Sequence, residues 1–192
     1  MKPILGAAIV AAMALGFAHP AAAKKPFSFN LVASSSSCVP NARGKVKILK
    51  NGRNQKLQVK VSKLPKKTNF DLFIIQVPGA PFGMSWYQGD IRTNGKGKGT
   101  ADFVGIFSRE TFMVAPGEAP APVVFDDNAS TNPATDPVQM YHIGLWFNSP
   151  ADAEKAGCPN IVTPFNGEHN AGVQVLNTSN FPDLDGPLGR FE

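Results

Sequence analysis

Polar and apolar residues alternate most regularly between positions 44 and 62. Val46 and Ile48 are interleaved with Lys45, Lys47 and Lys50, Asn51-Gly52 offers a turn, and residues 56–62 alternate back through Leu57, Val59 and Val61. A period of two around a short turn predicts a β-hairpin with one core face and one wet, basic face. Upstream, Phe27, Phe29 and Leu31 share one side of a first strand within residues 24–37, which ends in a serine-rich turn. Residues 69–77 carry Phe70, Leu72, Phe73, Ile74, Ile75 and Val77, so both faces are apolar and a central, fully buried strand is expected. Further strands are predicted over 84–91, 100–107, 111–115, 138–147 and 171–177. Residues 116–137 are rich in proline, Asp, Asn, Ser and Thr and read as a long irregular loop. Ser149, Pro150 and Gly157 have the spacing of a cap, a first helical residue and a stop, which predicts one short helix. Eight or nine strands and one helix make an all-β fold. The architecture expected is an antiparallel β-sandwich, immunoglobulin-like or jelly-roll-like, with a closed β-barrel as the alternative.

The first 23 residues break this pattern. Met1-Lys2, an apolar run over residues 4–18 and Ala21-Ala22-Ala23 are the three parts of a secretory signal peptide. The run of about fifteen residues is shorter than the roughly twenty a spanning helix needs. Cleavage before Lys24 leaves 169 residues, the size of one domain, 24–192. The expected location is secreted, extracellular or at the cell envelope, and no later apolar run reaches membrane length. Export changes the reading of Cys38 and Cys158, the chain's two cysteines: in an oxidising compartment they predict one disulfide. Neither belongs to a CxxC pair, which argues against a redox motif.

Charge is distributed unevenly. Residues 41–70 hold ten Lys and Arg and no acid, whereas residues from 71 onward hold six basic and fourteen acidic side chains. Lys45, Lys47, Lys56 and Lys60 are the candidate contacts for an anionic polymer or glycan of the cell wall. The competing reading is structural, because lysines on exposed strands discourage edge-to-edge pairing. Nucleic acid is disfavoured by export and by the lack of interleaved aromatic residues between Arg43 and Lys67.

Within residues 141–147, alternation puts His142, Gly144 and Trp146 on one face. A glycine between an imidazole and an indole leaves room for a sugar ring; the competing reading is a strand buried on both sides with His142 hydrogen-bonded in the core. Residues 166–170 gather polar groups in a turn, where Glu168 and His169 could act as an acid–base pair or join His142 around a metal. No HxH or HExxH spacing supports a metal, and a capped turn accounts for the same residues. Asp126-Asp127-Asn128 and Asp183-Leu184-Asp185-Gly186 both fall short of a calcium loop. GxSxG, P-loop and SxxK motifs are all missing, so no cofactor is implied and catalysis has no signature. A secreted hydrolase using Glu168, His169, His142 or Asp90, or a carbohydrate-binding module using Trp86, Tyr87 or Trp146, stand as alternatives to an exported binding or structural protein.

Three segments carry a resemblance. Residues 82–90 (Phe-Gly-Met-Ser-Trp-Tyr-Gln-Gly-Asp), residues 141–149 (Tyr-His-Ile-Gly-Leu-Trp-Phe-Asn-Ser), and Gly157-Cys158-Pro159 with residues 163–169 are similar to a group of secreted bacterial proteins seen chiefly in soil actinobacteria. The resemblance covers about two thirds of the chain and implies an exported β-domain, with no activity attached. Residues 44–64 also resemble the hairpin opening chordin-type β-domains, without the histidine-bearing motif that follows it there.

Overall fold

A computed structural model describes residues 26–34, 38–114, 137–164 and 169–191. The signal-peptide reading of 1–23, the loop over 116–136 and Glu168 lie outside the described residues. The strands are β1 (Phe27–Ala33), β2 (Arg43–Asn51), β3 (Asn54–Ser62), β4 (Asn69–Ile75), β5 (Ser85–Arg92), β6 (Gly99–Gly105), β7 (Phe112–Val114), β8 (Pro137–Gln139), β9 (His142–Phe147) and β10 (Gln174–Asn177). One helix, α1 (Pro150–Lys155), follows β9.

Eight strands form one antiparallel sheet in the order β5-β4-β9-β10-β1-β2-β3-β6, and β7 pairs with β8 apart from it. The sheet has two four-stranded halves, joined where Val32 and Ala33 of β1 meet Asn177 and Leu176 of β10. It curls until its edges β5 and β6 approach each other, so it is nearly closed into a barrel. The all-β, antiparallel expectation with one short helix therefore holds, and the two layers of the sandwich are halves of a single rolled sheet.

The hairpin forms in the expected register. Val46 faces Val59 and Ile48 faces Leu57, and all four are buried. They join Leu31, Phe70, Leu72, Ile74, Ile143, Leu145 and Phe147 in the main core. β4 is central to its half, between β5 and β9. Alternation along β4 sends Phe73 and Ile75 to the opposite face, where Trp146, Ala171 and Phe82 cover them in a second, smaller core. Burial of both faces explains the continuous apolar run. The strand expected over 138–147 divides into β8 and β9, because Met140 and Tyr141 leave one sheet for the other. Met140 donates its amide to Thr111, and the Tyr141 carbonyl accepts from Leu188.

The helix begins as its sequence dictates: Ser149 Oγ accepts from the Asp152 amide at 3.1 Å and Pro150 occupies the first turn. Its end delivers Cys158 to Cys38, with the Cα atoms 5.4 Å apart, so a disulfide closes a separation of 120 residues. That bond ties the end of α1 to the β1–β2 connection.

Candidate functional site

The wet face of the hairpin carries the strongest electrostatic feature. Alternation aims Arg43, Lys45 and Lys47 of β2 and Lys56 and Lys60 of β3 away from the core. The ladders put Asn30, Lys45, Lys60 and Thr100 side by side on four adjacent strands. Lys45 and Lys60 are thus directly opposite each other, a placement that like charges disfavour. They line a shallow concavity of about 630 Å³ together with Arg43, Lys98, Asn30, Ser62 and Thr100, and no carboxylate is among its lining residues. Arg43 Nη1 donates to the Ala42 carbonyl at 2.7 Å and to Pro40 at 3.2 Å, which fixes the guanidinium at the rim.

The four lysines singled out by sequence separate into two groups. Lys45 and Lys60 converge on the concavity. Lys47 points the same way one rung along, opposite Gln58, and Lys56 is engaged by Asp102 at 3.2 Å. Hydrogen bonds from Gln58 and Lys56 hold the Asp102 carboxyl below its usual range. Lys98 joins the site from the turn before β6, and only the fold reveals it, since nothing in the local sequence links it to the hairpin.

The groove expected between His142 and Trp146 is filled. Both side chains are fully buried, and a Cβ on Gly144 would overlap the Trp146 ring. Gly144 is there to let the indole lie over the strand. His142 Nδ1 is 2.8 Å from Thr178 Oγ1 and Nε2 is 3.0 Å from the Asp183 carbonyl. A carbonyl only accepts, so Nε2 carries the proton and Nδ1 accepts from the Thr178 hydroxyl. Burial pushes the His142 pKa down, which keeps the ring neutral. This is the hydrogen-bonded core histidine of the competing reading.

His169 is held elsewhere. Its Nε2 is 3.3 Å from Asp71 Oδ2, and Asp71 is fully buried. Asp71 faces Asp90 across the β4–β5 ladder, and Tyr87 donates its hydroxyl to Asp90 at 2.6 Å. The Asp71 carboxyl is raised to about 6, chiefly by burial, with His169 opposing the rise and Asp90 adding to it. Asp71 is not among the candidates read from the sequence, although a lone carboxylate inside an apolar run is a signal. Asp71 has no exposed surface, so it cannot itself touch a substrate.

Of the hydrolase candidates, His142 stands apart from His169 and Asp90, which both meet Asp71. Ile75 pairs with His142 and Asp71 pairs with Trp146, so the two histidines are separated by four residues along β4, roughly 13 Å. Asp183 and Asp185 are also accounted for: the Asp183 carbonyl receives His142, and the Asp185 carboxylate accepts from Arg190 at 2.6 Å. Asp126, Asp127 and Asn128 lie outside the described residues. Among the described residues, no three His, Cys, Asp or Glu are arranged to hold a metal ion, and no helix is long and apolar enough to cross a membrane.

Trp86 has a different environment from Trp146. It lines a cleft of about 340 Å³ at the seam between β5 and β6, with Gln88, Glu110 and the half-exposed Phe112. Its indole Nε1 donates to Gln88 Oε1 at 3.2 Å. No protein-family model, curated protein or solved structure matches this chain.

Proposed function

We propose that this chain is an exported binding or structural protein of the cell envelope or medium, which holds anionic polymer on the basic face of β2 and β3. One observation carries the reading: Lys45 and Lys60 are opposed across the ladder in a concavity with Arg43 and Lys98 and no carboxylate. An anion seated between the two ammonium groups turns a repulsive pair into two attractive contacts. The leader-like residues 1–23 and the Cys38–Cys158 disulfide support an oxidising, extracytoplasmic setting. Anionic wall polymer is therefore favoured over nucleic acid as the partner.

The test is retention on anionic cell-wall material or polyphosphate across a salt series. The wild-type protein is expected to bind at low salt and to elute progressively as ionic strength rises. A Lys45→Gln/Lys60→Gln variant is expected to lose at least about tenfold in affinity, the equivalent of one strong charge contact. Binding that ignores both salt and the double substitution sinks the proposal. The seam cleft supports a second reading, since an aromatic face beside an amide and a carboxylate suits a neutral sugar ring. That reading expects Trp86 fluorescence to shift with a neutral glycan, and a silent glycan panel removes it.

A further inference from the structure

Two described residues other than glycine have positive φ, and both are lysines in the connection from β3 to β4: Lys63 at 58° and Lys67 at 53°. Glycine or asparagine takes this left-handed conformation at less cost, because a longer side chain crowds its own backbone. The connection is locked in place. Leu64 donates its amide to Gly97 at 3.2 Å and Lys67 donates to Asn94 at 3.2 Å, while Asn94 donates to Lys98 at 2.8 Å. The backbones of Lys67 and Lys98 are therefore each one hydrogen bond from Asn94.

Lys98 already belongs to the concavity of Lys45 and Lys60. Beyond Asn94, Lys66, Lys67 and Lys155 line a second concavity of about 320 Å³ with Thr68 and Asp152. Asp152 is its one acid, and that carboxylate is 3.5 Å from Lys155. Lys66 and Lys67 make no ion pair among the described residues. Ser62 lines the first concavity and Pro65 the second, so their nearest linings are three residues apart along the β3–β4 connection, at most on the order of 10 Å.

We infer that the two concavities are successive seats on one track, and that the ligand is a linear polyanion long enough to occupy both. This inference rests on the anionic-polymer reading above and adds the chain length of what is bound. A single phosphate or a short oligomer fills one seat. A chain spanning both gains the effective concentration of an intramolecular second contact. The same logic explains why lysine occupies a position where glycine is easier: the charge at residue 67 extends the track past the turn at Asn94.

The experiment compares orthophosphate, tripolyphosphate and long-chain polyphosphate at equal phosphate concentration by titration calorimetry on the disulfide-bonded protein. The wild type is expected to bind the long chain at least about tenfold more tightly than tripolyphosphate. Lys66→Gln/Lys67→Gln is expected to remove that advantage while leaving tripolyphosphate affinity within about twofold. Lys67→Gly serves as a folding control, since it relieves the backbone; it should weaken long-chain binding with a thermal midpoint unchanged or raised. A length advantage that survives both variants overturns the track. Tripolyphosphate binding at Lys45 and Lys60 with no length advantage in the wild type overturns it too, and leaves the simpler reading standing. Binding to anionic lipid vesicles with no length dependence in solution points to a membrane surface and overturns the linear ligand. No binding to any of these probes defeats the inference and the reading beneath it.

Discussion

Asp71 shows how one residue can impose a pH dependence on the whole fold. Its carboxyl is raised to about 6 by burial, with Asp90 adding to the rise and His169 opposing it, whereas an unfolded chain leaves an Asp near 3.9. Between those values the folded state binds more protons than the unfolded state, so stability falls as pH rises. The contribution is most favourable below about pH 4 and is lost by the time the pH has passed about 6. Asp71→Asn keeps the shape and removes the titration. The difference in urea-unfolding free energy between pH 4 and pH 7 is expected to change by on the order of 2–3 kcal/mol, in favour of the variant at pH 7. An unchanged pH profile would mean that Asp71 does not titrate in this range. The sequence displays Asp71 but hides its surroundings. Only the pairing with Asp90 and the placement of His169, 98 positions away, set this stray acid between a second carboxylate and an imidazole.

At the level of elements, the parts of the chain that obey local rules were legible and the parts set by long-range contact were not. The β2–β3 hairpin and the capped α1 follow from alternation and from Ser149 and Pro150, all local in sequence. The single strand expected over 138–147 failed because Met140 and Tyr141 take partners from Thr111 and Leu188, which no local pattern announces. The groove failed for a related reason: alternation placed His142, Gly144 and Trp146 on one face but could not show the indole folding back over the glycine. The disulfide is long-range yet was legible, because two cysteines expected in an oxidising compartment have one possible pairing. It joins two elements that share no ladder, the end of α1 and the β1–β2 connection. Closing a loop of 120 residues is worth roughly 4–5 kcal/mol in the chain-entropy account. Cys38→Ser is therefore expected to lower the thermal midpoint by roughly 10 °C, and a reducing agent should do the same to the wild type but nothing further to the variant. A midpoint indifferent to both would show that packing alone holds α1 in place.

For the molecule as a whole, the open question is how a sheet with two free edges stays shut. β5 and β6 are consecutive strands with a tight turn between them, yet they occupy opposite ends of the sheet order and share no ladder. A side chain takes the ladder's place. Phe103 of β6 lies against Gly89 of β5, where a Cβ would overlap the ring, and Gly89 has φ of 146°, a conformation open to glycine and strained for other residues. Residues 89 and 103 thus form a plug between the edges, set into the main core through Phe103. Phe103→Ala removes the plug without touching the charged face. The expected loss is about 2 kcal/mol, below the range for a fully buried phenylalanine, because this one is only half-buried. Closure by packing rather than by hydrogen bonds makes a second, more specific demand. Amide exchange in the variant should rise first in β5 and β6 and leave the paired interior of β2, β3, β4 and β9 protected, since those strands keep both neighbours. Uniform acceleration across all eight strands would show instead that the ring supports the core at large and that the seam is held by something else.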